Sequence, residues 1–242
     1  MLPVIVMPTY NEIENIEKIA REILALDCGA QLLIVDDNSP DGTGEAADRL
    51  ASESEMVHVE HRAAKQGLGT AYKHGFQVAL GMGADYIFEM DADFSHDPRY
   101  VPQMLSAIEQ HDIVIGSRYV EGGGTRNWSI IRKFISRGAS AYTRLLTRVK
   151  VHDTTSGFRC YRRDVLERID FSRVSASGYG FQVEMTYVCE VMGFDIFELP
   201  IIFTDRRVGQ SKMSKDIMWE AMWMVAGLKK KYGDLRPVGD GS

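Results

Sequence analysis

Short, β-rich apolar runs recur through the first half of the chain and alternate with segments of helical period. That alternation confines the fold to a mostly parallel sheet covered by helices. The runs are residues 4–7, 31–35, 57–60, 86–90 and 113–115. Between them, Ile13, Ile16, Ile19, Ile23, Leu24 and Leu26 fit one helical face, and Ala71, Phe76 and Leu80 fit a second more loosely. The later part is less regular, with a break at Gly122-Gly123-Gly124 and a long helical pattern over 130–149. A chain of 242 residues that is 45% hydrophobic buries a substantial core as one large α/β domain. No repeat, low-complexity tract or clear linker divides it.

The formal charge of −6 gives no reason to expect a nucleic-acid partner. The basic residues are nevertheless concentrated. Between Arg118 and Lys150 stand eight of them against one acid, Glu121, a local net of +7 suited to an anion. The three cysteines, Cys28, Cys160 and Cys189, lack metal-ligand spacing and read as free thiols of a reducing compartment. Met1-Leu2-Pro3-Val4-Ile5-Val6 lacks a charged region before its apolar run and reads as a first strand, not a signal peptide, which implies a cytoplasmic location. The stretch 217–228 contains Glu220 and falls short of the roughly 20 apolar residues that span a bilayer, so no transmembrane helix is expected.

Two acidic clusters directly follow apolar runs: Asp36-Asp37 after 32–35, and Asp91-Ala92-Asp93 after 86–90. Open α/β sheets bind ligands at the carboxyl ends of their strands, where such carboxylates can hold a nucleotide and a divalent metal. The first run leads into Pro8-Thr9-Tyr10-Asn11-Glu12, whose Tyr10 can stack on a base; Asn11 can equally cap the next helix. Asp36-Asp37 can accept a ribose hydroxyl or base N–H, or serve the turn signalled by Asn38-Ser39-Pro40-Asp41-Gly42. A calcium loop beginning at Asp37 is disfavoured because a strand precedes it and Pro40 stiffens it. On an extended chain Asp91 and Asp93 point to the same side and can share a cation, with Ser95 as a further oxygen ligand. The competing reading is a helix cap, with Asp93 or Ser95 leading into Asp97-Pro98. Mg²⁺ or Mn²⁺ in an all-oxygen site suits a diphosphate substrate.

In the basic segment, Lys133, Arg137, Arg144 and Arg148 form one stripe. Ile131, Phe134, Ile135, Tyr142, Leu145, Leu146 and Val149 supply a broad apolar surface. Such a helix either packs on the core with a solvated face or lies against anionic lipid. Arg132 and Ser136 form a separate i, i+4 pair that can grip one phosphate. The tail around Trp219, Met222, Trp223 and Val225, ending in Lys229-Lys230-Lys231, has similar character.

Taken together these motifs resemble glycosyltransferase family 2, and within it the polyprenyl-phosphate (dolichol-phosphate) mannose synthases. The resemblance rests on Pro8 to Glu12, Val35-Asp36-Asp37-Asn38-Ser39-Pro40-Asp41-Gly42-Thr43, Gly67-Leu68-Gly69-Thr70-Ala71, and Met90-Asp91-Ala92-Asp93-Phe94-Ser95-His96. Further on it takes in Gly116-Ser117-Arg118-Tyr119, Ser136-Arg137-Gly138-Ala139, Ser156-Gly157-Phe158-Arg159 and Asp205-Arg206, with Gly209, Ser211 and Lys212. Each segment alone is weakly specific; their order and spacing over residues 8–212 are highly specific.

The resemblance implies an α/β fold of the GT-A nucleotide-diphospho-sugar transferase type over 1–212, followed by an amphipathic helix and tail over 213–242. It implies that Pro8, Tyr10, Glu12, Val35 and Asp37 line a guanosine site, and that Asp91, Ala92 and Asp93 lie at the donor diphosphate. Asp91, Asp93 and Ser95 would stand near Mg²⁺ or Mn²⁺; relatives can carry Gln at the third position, so Ser95 is a shorter ligand. Arg118, Arg132 and Ser136 would hold the acceptor phosphate, Arg118 would also touch the donor, and Arg206 and Lys212 would close over it. Asp93, Arg118 and Arg132 would carry the reaction. The implied substrates are GDP-mannose and a polyprenyl phosphate, at the cytoplasmic face of a membrane, reached through a surface or a small anchoring subunit. Alternatives are a UDP-glucose-dependent lipid-phosphate transferase, a sugar-nucleotide pyrophosphorylase, whose Gly-rich basic loop is missing after the first run, and a non-catalytic nucleotide-sugar-binding module. Glu184 falls where other family members can place a base.

Overall fold

A computed structural model describes residues 1–176, 178–204 and 215–237, with side chains undescribed for Tyr179 and 215–221. Its elements in chain order are β1 (Pro3–Thr9), α1 (Ile16–Leu24), β2 (Gln31–Asp36), α2 (Thr43–Glu53), β3 (Val57–His61), α3 (Leu68–Gly81), β4 (Tyr86–Glu89) and α4 (Val101–Ile108). There follow β5 (Ile113–Ser117), β6 (Gly124–Arg126), α5 (Ile130–Thr147), β7 (Arg159–Arg162), α6 (Arg163–Arg168), α7 (Tyr179–Val191), β8 (Ile196–Pro200), β9 (Ile202–Thr204) and α8 (Lys215–Lys231). All five expected strands are present, each within three residues of its expected bounds. The long helix expected over 130–149 stops at Thr147, where Arg148 adopts the left-handed conformation at φ 68°.

Seven strands form one sheet in the order β3-β2-β1-β4-β7-β5-β8. Neighbours are parallel except around β7, which runs against both β4 and β5. Strands β6 and β9 form a separate parallel pair. Alternation along β1 divides the core into two layers. Val4 and Val6 face Ala71, Tyr72 and Phe76 of α3 with α7 and α8, whereas Ile5 and Met7 face α1, α2 and α4. Successive strands β1, β2 and β3 step outward in one direction and β4 returns on the other side of β1. A crevice therefore opens at the carboxyl ends of β1 and β4. Pro8 to Glu12 and Asp91 to Asp93 lie at those two ends.

Helix α3 approaches β1 at Gly75. A Cβ at that position would stand 2.3 Å from Val6 Cγ1, closer than atoms can pack, and 3.2 Å from Val35 Cγ2, a tight contact. In an open helix Gly→Ala stabilises by about 1 kcal/mol, but overpacking a core costs about 1–3 kcal/mol. Gly75→Ala is therefore expected to lower stability in a urea titration; an increase would show that α3 does not press on β1 here.

Candidate functional site

On the β1–β2 side, most polar groups are spent on the loops themselves. The Asp36 carboxylate accepts from Thr9 Oγ1 at 2.9 Å, Ser39 Oγ at 2.6 Å and the Ser39 N–H at 2.9 Å, so it clasps the turn and offers little to a ligand. Asp41 accepts from the Thr43 N–H and hydroxyl, and Thr43 Oγ1 in turn accepts the Glu12 N–H at 2.9 Å, which ties the β1 loop to the start of α2. Asn11 does not cap α1; at φ 61° it turns the chain and its N–H bonds Ser39 Oγ at 3.1 Å, while Asn15 stands at the N-cap. Buried Asp37 pairs with Arg62 at 2.7 Å, and Arg62 reaches on to Thr70 Oγ1 at 2.9 Å. Burial raises the Asp37 pKa despite that guanidinium. The Lys65 ammonium sits 3.8 Å from the centre of the Tyr10 ring. Val35 is wholly buried with its side chain in the core, and half-buried Pro8 is the penultimate residue of β1. Arg62 and Lys65 escaped the sequence reading because neither adjoins a motif of acidic or aromatic residues.

At the end of β4 the chain is not extended. Strand β4 stops at Glu89, residues 92–96 bend sharply, and Phe94 has φ 62°. Strand alternation therefore does not align Asp91 with Asp93; the bend gathers them instead. Both lie close to the buried Tyr72 hydroxyl, which donates to Asp91 Oδ1 at 3.0 Å. Burial and the charges of Asp91, Glu89 and Asp93 hold that phenol well above its usual range. Asp93 Oδ1 accepts the Ser95 N–H at 3.0 Å, and His96 Nδ1 accepts the Asp91 N–H at 3.0 Å. The cap of the following turn is Asp97, not Asp93 or Ser95. Ala92, Asp93 and Ser95 are all buried. Among the described residues no three His, Cys, Asp or Glu side chains converge into a metal cage. Two carboxylates with a hydroxyl nearby fit Mg²⁺ or Mn²⁺ that takes its remaining oxygens from a diphosphate and water.

Beneath this loop, Glu89 is fully buried against Gln182 Nε2 and the Tyr161 hydroxyl; burial pushes its carboxyl up to about 7 against the pull of Arg159. Arg159, also buried, donates to the carbonyls of Ser156, Thr154 and Gln182 and so fixes the loop of residues 153–158. Glu198 holds the same loop through the His152 and Asp153 N–H groups at 2.7 and 2.9 Å.

The outcome is a rigid Asp153. Its carboxylate accepts Arg118 Nε at 2.6 Å, Nη2 at 2.5 Å and the Arg118 N–H at 3.0 Å, a forked pair with both side chains at least 95% buried. Arg118 is thus held in place while its guanidinium carbon lies 5.2–5.4 Å from the rings of Tyr119, Trp128 and Phe203. Arg132 stacks on the other aromatic neighbour, 4.2 Å from the Trp128 ring. Ser136 accepts the Tyr119 hydroxyl at 2.6 Å. His96 and Trp128 both meet Phe203 edge-on, at 5.7 and 5.3 Å, so the aspartate loop and the arginines belong to one connected cluster. Trp128, Asp153, His96 and Phe203 were missed as site residues. Trp128 is four residues before Arg132 and His96 closes the aspartate motif, so those two carried a spacing signal; Asp153 and Phe203 are brought in only by tertiary structure. Arg206 and Lys212 lie outside the described residues.

Glu184 is fully committed elsewhere. Its buried carboxylate pairs with Lys231 at 2.6 Å and accepts from the Tyr232 hydroxyl and the Ser175 and Ala176 N–H groups, anchoring the end of α8. Cys28, Cys160 and Cys189 are free thiols.

Helix α5 inverts the usual burial. Its buried residues are Ser140, Thr143 and Thr147, whereas Ile130, Ile131, Phe134 and Leu145 are 72–79% exposed. Helix α8 lies beside it, with the Tyr142 hydroxyl bonded to the Met222 carbonyl at 3.2 Å and Trp223 76% exposed. No helix among the described residues is long and apolar enough to cross a membrane. Removing one partner of a buried ion pair costs about 3–5 kcal/mol, because the other charge stays uncompensated. Asp153→Ala is expected to cost stability on that order in urea unfolding; a change below about 1 kcal/mol would mean that Arg118 is not held this way.

Residues 4–170 match the model of "Glycosyl transferase family 2". The chain is 46% identical over 238 residues to a polyprenol monophosphomannose synthase of Mycolicibacterium smegmatis, covering 97% of this chain and 90% of that protein. It is 45% identical over 233 residues to an undecaprenyl-phosphate mannosyltransferase of Micrococcus luteus, covering 96% of each. Among solved structures, the fold matches glucosyl-3-phosphoglycerate synthase from Mycobacterium tuberculosis with TM-score 0.67 at 20% identity, over 98% of this chain and 81% of that one. It also matches a mannosyltransferase from Pyrobaculum calidifontis in complex with GDP-Man and Mn²⁺, with TM-score 0.57 at 15% identity, over 93% and 69%. The chain is a glycosyltransferase with the GT-A fold and belongs to glycosyltransferase family 2.

Proposed function

We propose that the protein transfers mannose from GDP-mannose to a polyprenyl monophosphate with inversion, giving polyprenyl-phosphate mannose and GDP. The observation that carries this reading is the single cluster joining Asp91 and Asp93, through His96 and Phe203, to Trp128, Arg118 and Arg132. A transferase joining two phosphate-bearing substrates needs acidic and basic groups facing one crevice, and the names of the two relatives match that chemistry.

In this reading Pro8, Tyr10, Glu12 and Asp37 form the guanosine end, with Arg62 sharing Asp37 and the side chain of Val35 in the core beneath. Asp91, Ala92 and Asp93 take the diphosphate, with Ser95 beside Mg²⁺ or Mn²⁺; the bound cation would neutralise charge on the departing diphosphate. Arg118, Arg132 and Ser136 take the acceptor phosphate, and Arg206 and Lys212 complete the donor side. A phosphate monoester with its second pKa near about 6 is largely dianionic at neutral pH. Its oxygen can therefore attack the anomeric carbon without a dedicated base, in agreement with Glu184 being occupied structurally. The new bond joins the anomeric carbon to the acceptor oxygen as the carbon–oxygen bond to GDP breaks on the opposite face. Residues 1–212 carry this chemistry, with the tail helix added to it. The arginines overcome repulsion between two anions, so positioning and charge supply most of the rate.

The same reading places the protein peripherally on the cytoplasmic face of a membrane. The exposed apolar residues of α5 alternate with Lys133, Arg137 and Arg144 and no acid, a composition that suits anionic lipid.

Incubation with membrane lipid extract and radiolabelled GDP-mannose or UDP-glucose tests the donor. Label is expected in the organic phase from GDP-mannose only; label from UDP-glucose would replace the mannose assignment. Asp93→Ala is expected to reduce turnover by at least about 10²–10³-fold, whereas Arg132→Ala chiefly raises the KM for lipid acceptor. Near-normal turnover in Asp93→Ala would refute the diphosphate-site assignment. In flotation assays the protein should accompany phosphatidylglycerol vesicles. Leu145→Glu and Trp223→Glu should each release it while turnover on a short-chain soluble acceptor persists; retained flotation in both would point to a protein anchor instead.

A further inference from the structure

We propose that Trp128 is a direct ligand of the acceptor phosphate: its indole N–H donates to a phosphate monoester oxygen while its ring holds Arg132 beside the same group. The inference rests on the polyprenyl-phosphate reading above and assigns a residue that the reading leaves without a role.

Trp128 is 9% exposed, and its Nε1–H is buried without a hydrogen-bond partner among the described residues. Such groups are rare, because a buried donor stripped of water and given nothing in exchange destabilises the fold. The groups packed on its ring do not relieve it. One ring neighbour is the Arg132 guanidinium at 4.2 Å, another is Arg118 at 5.4 Å, and the third is the edge of Phe203 at 5.3 Å. Two are cations with donors only and one is a hydrocarbon ring, so none can accept. An acceptor must come from beyond those ring contacts, and the Arg132 guanidinium on the ring favours an anion. A phosphate monoester has three acceptor oxygens and can take hydrogen bonds from both guanidinium groups and from one neutral N–H at once.

The local chain geometry supports this placement. Ser129 caps α5 by accepting the Arg132 N–H at 3.2 Å, so Trp128 stands just before the capping residue and Arg132 lies in the first turn, over the ring. Ser136, one turn further, accepts the Tyr119 hydroxyl, which puts a hydroxyl pair next along the same helix. The chain from Trp128 into the N-terminal half of α5 thus carries an indole N–H, a guanidinium and a hydroxyl pair in succession.

The chain has three tryptophans, Trp128, Trp219 and Trp223, so ¹⁵N-labelled protein gives three indole N–H signals, of which Trp128→Phe identifies one. Titration with a short-chain polyprenyl monophosphate is expected to move the Trp128 signal downfield, and GDP is not. Movement with GDP and not with the monophosphate would overturn the acceptor assignment in favour of the donor diphosphate. A fixed Trp128 signal while other signals respond would overturn the role of Trp128 alone. No response anywhere would remove the phosphate site, and the lipid-phosphate reading with it. In steady state, Trp128→Phe keeps the ring and removes the N–H. It is expected to raise the acceptor KM about 10- to 100-fold, as for a lost hydrogen bond to a charged group, with kcat and donor KM within about twofold. Equal losses in kcat and in both KM values would mark Trp128 as structural only and overturn the proposal.

Discussion

The pairing of β1 with β2 on one side and β4 on the other decides where everything else can stand. Parallel register sets Val6 against Leu33 and against Glu89, so the loops leaving β1, β2 and β4 emerge at one end of the sheet. The contact of α3 with β1 at Gly75 leaves no slack in that arrangement. Because β4 lies where the strand order reverses, the aspartates that follow it open into the crevice and not onto the outer face. Strand β7, running against β4 and β5, then places Arg159 and the Asp153 loop on the far side of the same crevice.

Charge in the site is balanced locally. Arg118 is buried only because Asp153 meets it with two hydrogen bonds, and Asp153 is fixed because Glu198 and Arg159 hold its loop. Asp37 is similarly matched by Arg62. Buried ion pairs contribute little net stability, since desolvation offsets their attraction. Their consequence here is fixed geometry: in the proposed reaction, rigid charges would need no reorganisation when charge shifts. The conspicuous exception to local balance is the α5–α8 face, where exposed apolar residues and basic residues lie together. That combination is the observation on which the proposed membrane association rests.

Much of this was legible in the chain itself. Short apolar runs located the five leading strands, because each strand buries a continuous apolar run, and period-3.6 patterning located the long basic helix. The motif residues at strand ends were found for the same reason: strand ends are where parallel sheets expose chemistry. One local expectation failed for a physical reason. Asp91 and Asp93 are gathered by a bend that Phe94 makes at positive φ, which bulky residues seldom adopt and patterning cannot show. Helix α5 has its polar stripe inward, where its pattern had left open whether the apolar side faced the core or a lipid surface. Arg62, Asp153 and Phe203 join the site through pairing across 25 to 35 residues or more, and single-sequence periodicity carries no information at that range.

The account depends on acidic and basic groups sharing one pocket. The most direct measurement is anomalous scattering from crystals of the protein grown with GDP-mannose and Mn²⁺. A manganese peak about 2.1 Å from carboxylate oxygens of Asp91 and Asp93, with Arg118 and Arg132 lining the same pocket as the sugar, is the expected result. A peak on other residues, or arginines separated from the sugar by the sheet, would contradict it.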